Sequence, residues 1–283
     1  MNQLEHPIVK WFAKNKRDLP WRKTSPWGVM VSEFMLQQTP VHRVLPKWIE
    51  WMDCWPTAAD LAKASPAQVI TAWGRLGYPR RALRLHAAAQ IIAEDFNNEV
   101  PADSQTLLAL PGIGEYTAAA ISAFAFEQRT LVMDINIRRV LTRIIDGEEH
   151  PKPAPSAAEK SARLSLVPLK NAHVWAAATM EFGALICTSK NPSCELCPVI
   201  SQCQWRKNGY PKTHLVRKSQ DWHGTDRKCR GTIVQALREN ESLTESAIKK
   251  LWPDESQVEK ALKTLTDDLL IQRLPRNRYR LPQ

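Results

Sequence analysis

Apolar residues return every three or four positions over most of this chain, the spacing that gives an α-helix one buried face. The pattern runs through Trp27–Met52, Pro66–Trp73, Ala82–Phe96, Thr117–Phe126, Asn136–Ile145 and Ala157–Ile186. Glycine and proline interrupt it at Pro56, Gly77-Tyr-Pro79, Pro101, Pro111-Gly-Ile-Gly114 and Pro151-Lys-Pro-Ala-Pro155, as expected of helix-joining loops. Strand-like alternation is scarce before residue 270. The expectation is an all-α core without internal repeats. Beyond a basic stretch at 206–227, Lys228–Arg238, Leu243–Trp252 and Ser256–Leu270 read as three short amphipathic helices, and Arg273–Leu281 as a basic hairpin. Such a tail fits a winged helix, or equally a small helical cap with no DNA contact.

At 283 residues and 43% hydrophobic content the chain can fill two packed lobes and a small appendix. No apolar run reaches the roughly 18 residues that a membrane span requires. The N-terminal stretch carries Glu5 and no long apolar segment, so it does not read as a signal peptide. A cytoplasmic, nucleoid-associated protein is expected. The formal net charge of +10 favours a polyanionic partner, with a basic surface that serves solubility as the plain reading. The excess is local: 206–230 holds eight Lys or Arg against two Asp, and Arg75, Arg80, Arg81 and Arg84 form a second group.

Six cysteines divide into two kinds. Cys54 and Cys229 stand apart and read as inert thiols, whereas Cys187, Cys194, Cys197 and Cys203 follow C-x6-C-x2-C-x5-C within 17 residues. A reduced compartment suits metal ligation by such thiols better than disulfides. Structural zinc ordinarily draws on two C-x2-C pairs or on histidine partners. Here only Cys194 and Cys197 form such a pair, and the wide outer gaps suit the more separated corners of an iron–sulfur cubane. Zinc is the competing reading.

Leu110-Pro-Gly-Ile-Gly-Glu-Tyr-Thr117 reads as a hairpin between two helices. Gly112 and Gly114 can take positive φ and expose N–H groups that, at a helix start, cradle a phosphate. Asp134 follows Gly114 by 20 residues. A tight αα turn and a helix N-cap are the plain readings of these two features. Together with the cysteines they point to chemistry on DNA bases.

On these motifs the chain resembles the helix–hairpin–helix DNA glycosylases of the endonuclease III superfamily, and within them the adenine-specific, MutY-type family in a short form without a Nudix-like C-terminal domain. The resemblance spans about residues 4–205. It is carried by Asp18-Leu-Pro-Trp-Arg22, Val31-Ser-Glu-Phe-Met-Leu-Gln-Gln-Thr39, Leu76-Gly-Tyr78, Leu110–Thr117, Met133-Asp-Ile-Asn-Ile-Arg138, Glu181-Phe-Gly183 and the four cysteines. It implies a two-lobed helical fold. A six-helix barrel lobe would cover 22–130, a [4Fe–4S] cluster lobe would combine 1–21 with 131–205, and a winged-helix-like domain at 228–283 would follow the linker. Double-stranded DNA with one flipped purine would be the partner of a monomer.

The resemblance also implies roles. Glu33 matches the acid that protonates a departing adenine, and Asp134 the carboxylate that supports the sugar cation. Tyr116 and Asn136 match residues around that sugar. Arg17, Leu19, Trp21, Arg22 and Glu181 match the lining of the base pocket. Gln38 and Tyr78 match wedges entering the base stack, with Leu76 beside them, while Gly112 and Gly114 match the phosphate-binding hairpin. Breaking an adenine N-glycosidic bond needs one neutral and one charged carboxylate. The apolar surroundings of Glu33 would keep it protonated, and a helix start would keep Asp134 ionised. Taken singly, Glu33 could be a solvated helix residue, Trp21 a core residue and Tyr78 a turn aromatic.

Tyr116 stands where backbone-cleaving relatives place a Schiff-base lysine, so a monofunctional hydrolase is expected. Two positions depart from the family pattern: Ile135 replaces a glycine after Asp134, and Pro79 replaces a second tyrosine. Adenine opposite 8-oxoguanine or guanine is the leading substrate. Another damaged purine, such as hypoxanthine, would suit the same acid chemistry, and a cluster-bearing DNA-binding regulator is the non-enzymatic alternative.

Overall fold

Prolines and short polar side chains set most helix boundaries in the computed structural model, which describes residues 3–213 and 223–283. The helices are α1 (Glu5–Asn15), α2 (Pro26–Leu36), α3 (Val41–Cys54), α4 (Ala58–Ala62), α5 (Pro66–Trp73), α6 (Arg80–Asp95), α7 (Ser104–Ala109), α8 (Glu115–Phe126), α9 (Ile135–Leu141), α10 (Ala157–Leu164), α11 (Ala172–Leu185), α12 (Gln204–Lys207), α13 (Asp226–Glu239), α14 (Glu245–Lys249) and α15 (Glu255–Asp267). Three short strands complete the fold: β1 (Leu243–Thr244), β2 (Gln272–Leu274) and β3 (Arg278–Arg280). Much of the basic stretch expected as a linker, 214–222, lies outside the described residues.

Two apolar stretches that read as continuous are each divided. Trp27–Met52 separates into α2 and α3 because Pro40 takes an extended conformation at the N-cap of α3. Ala157–Ile186 separates into α10 and α11 around Pro168, and Asn171 adopts a left-handed conformation ahead of α11. Asn136–Ile145 is helical throughout, but after α9 it widens into a π-turn over Thr142–Asp146.

The chain forms two compact units. Of the described residues, the first comprises 3–30, 102–109 and 113–213. Its core gathers Ile8 and Phe12 of α1, Ile137, Val140 and Leu141 of α9, and Trp175, Ala178 and Phe182 of α11. Cys203, Val199 and Trp205 from the cysteine segment share this core. Gly183 lets α11 lie directly on α9, since an added Cβ would sit 2.8 Å from the Asn136 Cβ and 2.9 Å from its carbonyl oxygen.

Of the described residues, the second unit comprises 31–101, 110–112 and 223–283. Two capping boxes, Thr57 with Asp60 and Ser65 with Gln68, start α4 and α5 and satisfy N–H groups that would otherwise lack partners. Trp51 packs edge-on against both Trp55 and Trp73. Helices α13 to α15 enclose Ile233, Val234, Leu237, Ile248, Val258, Leu262 and Leu265, and Ile70 of α5 is part of the same cluster. The strands pair antiparallel in the order β1-β3-β2, with Leu243 opposite Tyr279 and Arg273 opposite Tyr279 from the other side. Three helices with this small sheet have the composition of a winged helix. Among the described residues, no helix is long and apolar enough to cross a membrane.

Candidate active site

Asp134 is the N-cap of α9. Its Oδ1 accepts from the Ile137 backbone N–H at 2.6 Å, and its Oδ2 accepts from the Asn136 side-chain amide at 2.7 Å. The Asn136 carbonyl oxygen in turn accepts from Arg139 Nη2 at 2.8 Å, which fixes which way its amide points. The helix start was expected to keep Asp134 readily ionised. Burial outweighs that effect and pushes its carboxyl above the ordinary value, although the Ile137 and Asn136 hydrogen bonds and Arg139 pull it down. Tyr116, on the first turn of α8, packs partly buried against the first unit's core.

The residues matched to the base pocket meet on α11 and the chain leading to α2. Glu181 is 2% exposed. It accepts from the Arg17 backbone N–H at 2.8 Å and from the guanidinium at 2.9 and 2.6 Å, and pairs with Arg22 at 3.1 Å. Burial raises the Glu181 carboxyl, but the bonds from Arg17 and the charge of Arg22 more than offset it, and the net shift is downward. Leu19 is buried and Trp21 half-buried. Glu181 lies two residues before Gly183, so α11 carries both this polar cluster and the contact with Asn136.

In the second unit, Glu33 lies on α2 at 6% exposure. Gln38 and Tyr78 are exposed, and both hold left-handed backbone conformations, at φ 56° and 48°. Such conformations are rare for non-glycine residues and cost about 1–3 kcal/mol each. Leu76, by contrast, is buried. In the hairpin only Gly112 takes positive φ, at 85°, and an added Cβ there would lie 2.7 Å from the Phe34 ring and 2.9 Å from Arg84. Gly114 is instead extended at φ −106° and caps α8, with open space where a side chain would stand.

The cysteine segment is tied to α9 and the π-turn by two arginines. Arg139 Nε donates to the Cys187 carbonyl at 2.8 Å and Nη2 to the Gly183 carbonyl at 2.6 Å. Arg143, almost wholly buried, donates to Cys187 Sγ at 3.5 Å, the Thr188 carbonyl at 2.7 Å and the Ser189 carbonyl at 3.2 Å, and stacks on Trp205. Burial raises the thiols of Cys187 and Cys194, and pushes Cys197 up to about 12 with the neighbouring three cysteines adding to the shift. Among the described residues, no three His, Cys, Asp or Glu side chains converge closely enough to hold a single metal ion.

The chain matches the HhH-GPD superfamily of base excision DNA repair proteins over residues 31–165. It is 43% identical to the adenine DNA glycosylase of Mycolicibacterium smegmatis over 278 residues, which is 97% of this chain and 94% of that protein. It is 44% identical to the Mycobacterium tuberculosis adenine DNA glycosylase, over 97% of this chain and 92% of that one. The chain belongs to the adenine DNA glycosylase family. As a member it is a DNA glycosylase, and DNA is its partner. The human adenine DNA glycosylase is 38% identical over 71% of this chain and 39% of its own length. A thermostable thymine-DNA glycosylase structure superposes with a TM-score of 0.67 at 26% identity, covering 72% of this chain and 94% of that one. A trapped endonuclease III–DNA complex, TM-score 0.64 at 20% identity over 74% of this chain and 96% of that one, shares the helical fold.

Sequence reasoning missed Arg139 and Arg143 of this glycosylase, and it placed Arg81 in a basic group although that side chain is buried. Arg139 and Arg143 are four residues apart among Val140, Leu141 and Ile144, and a pair of charges inside an apolar helical run is the signal that marked them. Arg81 is 7% exposed. It donates to the carbonyls of Phe34 at 2.9 Å, Met35 at 3.2 Å and Gly77 at 3.1 Å, to Thr39 Oγ1 at 3.0 Å, and also to the Gln37 carbonyl. One guanidinium thus clamps the two loops that carry Gln38 and Tyr78.

Proposed function

We propose that the protein hydrolyses the N-glycosidic bond of adenine mispaired with 8-oxoguanine or guanine, on a nucleotide flipped out of duplex DNA. The observation that carries this reading is the Asp134–Asn136–Arg139 arrangement in a chain 43–44% identical, nearly end to end, to adenine DNA glycosylases. Adenine leaves poorly as an anion, so Glu33, buried on α2, is the acid that protonates it. The sugar then carries positive charge, and Asp134 is the anion that balances it. Burial that raises Asp134 also removes water that would screen this attraction. Asn136 and Arg139 hold the carboxylate in place and favour its ionised form against the opposing effect of burial. Arg17, Arg22 and Glu181 form the polar lining of the base pocket, with Leu19 and Trp21 as its apolar part.

Tyr116 supplies no amine for a Schiff base, so the reaction is hydrolysis without strand cleavage. The protein acts as a monomer, with Gln38 and Tyr78 entering the stack on the DNA and the Gly112–Gly114 hairpin holding phosphate. Cys187, Cys194, Cys197 and Cys203 suit a [4Fe–4S] cluster. They are soft donors whose burial and mutual repulsion disfavour free thiolates, and a cationic iron centre relieves both penalties. Only Cys194 and Cys197 form a C-x2-C pair, and the wide outer spacings suit a cubane better than a single zinc ion. Bound there, the cluster would cross-link the loop on which Arg139 and Arg143 rest.

The test is a panel of duplexes carrying adenine or hypoxanthine opposite 8-oxoguanine, guanine or thymine. Adenine release opposite 8-oxoguanine and guanine is expected, with strands breaking only after alkali. Preferential release of hypoxanthine would move the substrate to a deaminated purine, and strand cleavage without alkali would overturn the monofunctional mechanism.

A further inference from the structure

A groove of about 1170 Å³ opens in the second unit between the Gly74–Arg80 turn and α13. Seven of its lining residues are Lys or Arg and two are acidic. Some of these cations are structural. Arg80 and Arg230 share Asp268, at 3.2 and 2.5 Å, and Arg238 donates to the Ile70 carbonyl at 3.1 Å. These bonds, together with Ile70 in the core of α13 to α15, fix the C-terminal helices against α5 and α6. Arg43, Arg75 and Arg227 line the same groove and are exposed. The Arg227 guanidinium lies 4.2 Å from the Tyr78 ring centroid. Gln38 and Tyr78, the two residues in left-handed conformations, lie on the groove's rim.

We infer that this groove binds the phosphodiester backbone of the DNA strand opposite the extruded nucleotide, which makes the C-terminal helices part of the DNA-binding surface. The inference rests on the proposed function, because that reading makes Gln38 and Tyr78 the wedges. A side chain filling the gap left by a flipped base abuts the unpaired base across from it, and that strand continues past the wedge. The groove starts at the wedge, carries seven Lys or Arg against two acids, and keeps Arg43, Arg75 and Arg227 exposed, with Arg80 exposed beside its Asp268 partner. Phosphates occur every 3.4 Å or so along each strand, so a lined path collects several contacts and supplies affinity without reading sequence. Arg227 has a second effect: stacked on Tyr78, it restrains the ring that must enter the duplex. The occupant is therefore one strand of duplex DNA, held through its phosphates by the turn after α5 on one side and by α13 on the other.

The experiment uses the full-length protein and the double variant Arg75→Ala/Arg227→Ala, with Arg276→Ala in the β2–β3 turn as a control on the same C-terminal module. Binding to an 8-oxoguanine mispair bearing a non-cleavable adenosine analogue is followed across salt concentrations. The double variant is expected to bind at least 10-fold more weakly, with a salt slope lower by about 1 per side chain removed. Arg75→Lys/Arg227→Lys should retain the slope, which separates lost charge from damaged folding. Shortening the strand opposite the adenine should weaken the parent strongly and the double variant little. Unchanged affinity and slope in the double variant would overturn the groove, as would equal sensitivity to truncation of either strand, or an Arg276→Ala effect as large as the double variant's. A parent that releases no adenine, combined with a double variant that binds DNA with a reduced slope, would instead sink the proposed function and leave a DNA-binding groove.

Discussion

Replacing Arg81 with methionine tests how the wedge loops are held. The guanidinium is buried, and burial pulls it below its ordinary value to about 10, so it remains charged at neutral pH. Its partners lie on two loops separated by some 40 residues of chain: the carbonyls of Phe34, Met35 and Gln37 with Thr39 Oγ1 on one side, and the Gly77 carbonyl on the other. Methionine fills a similar volume but donates nothing. Acceptors stripped of a buried donor cost about 1–3 kcal/mol each where water cannot replace it. The exposed Gln38 and Tyr78 loops admit some water, so a total of about 3–5 kcal/mol is reasonable, as for breaking a buried charged pair. Gln38 and Tyr78 would also be free to leave conformations that cost about 1–3 kcal/mol each. Denaturant unfolding should therefore show a lower midpoint with an unchanged slope, and affinity for a mispaired duplex should fall 10-fold or more in the variant that remains folded. Arg81→Lys should not rescue, because one ammonium with three donors cannot span both loops. Parent-like stability together with parent-like DNA binding in Arg81→Met would refute the clamp.

Asp134→Asn should abolish base release, a loss of at least about 10²-fold, while leaving DNA binding intact, as measured by single-turnover excision and gel shift. The carboxyl of Asp134 is raised in the folded protein, so ionising it costs stability. That cost is present above the folded value and vanishes below the unfolded value of 3.8, so the variant should unfold no earlier than the parent at pH 7 and lose any advantage in acid. By the same shift, the acid limb of the parent's excision rate should lie above the ordinary aspartate range. Glu33→Gln should slow adenine release by about 10² to 10⁴-fold, and a parent-like rate would show that the proton comes from elsewhere. Gly183→Ala places a methyl within 2.9 Å of the Asn136 backbone, so about 1–3 kcal/mol of stability and a measurable share of excision should be lost together. Purified protein should be yellow-brown and contain iron, and Cys203→Ser should bleach it; a colourless preparation with stoichiometric zinc would dismiss the cluster.

The positions of most helices were legible in the amino-acid sequence, because apolar spacing and prolines act locally. Proline at the start of α5 and the cysteine spacing are readable in the same way. Breaks such as Pro40 and Pro168 were underweighted, since apolar spacing continues across them and only the backbone conformation separates the helices. Gly112 had to be glycine for two reasons, its positive φ and the Phe34 ring against it, and only the first could be anticipated from its neighbours in the chain.

Charge state and long-range support were decided by the tertiary structure. Asp134 is recognisable as a helix cap from its position, but the direction of its titration depends on how much protein surrounds it, which no local pattern encodes. Arg81, Arg139 and Arg143 looked like ordinary basic residues. Most of their partners are carbonyls more than 40 positions away, and a guanidinium's role depends on which acceptors folding brings within reach. The chain's own order therefore determined which helices form and which residue types are available for glycosylase chemistry. Packing alone determined which of those residues are buried, which loops are clamped and which groove keeps its cations exposed, because burial and hydrogen bonding are properties of neighbours in space.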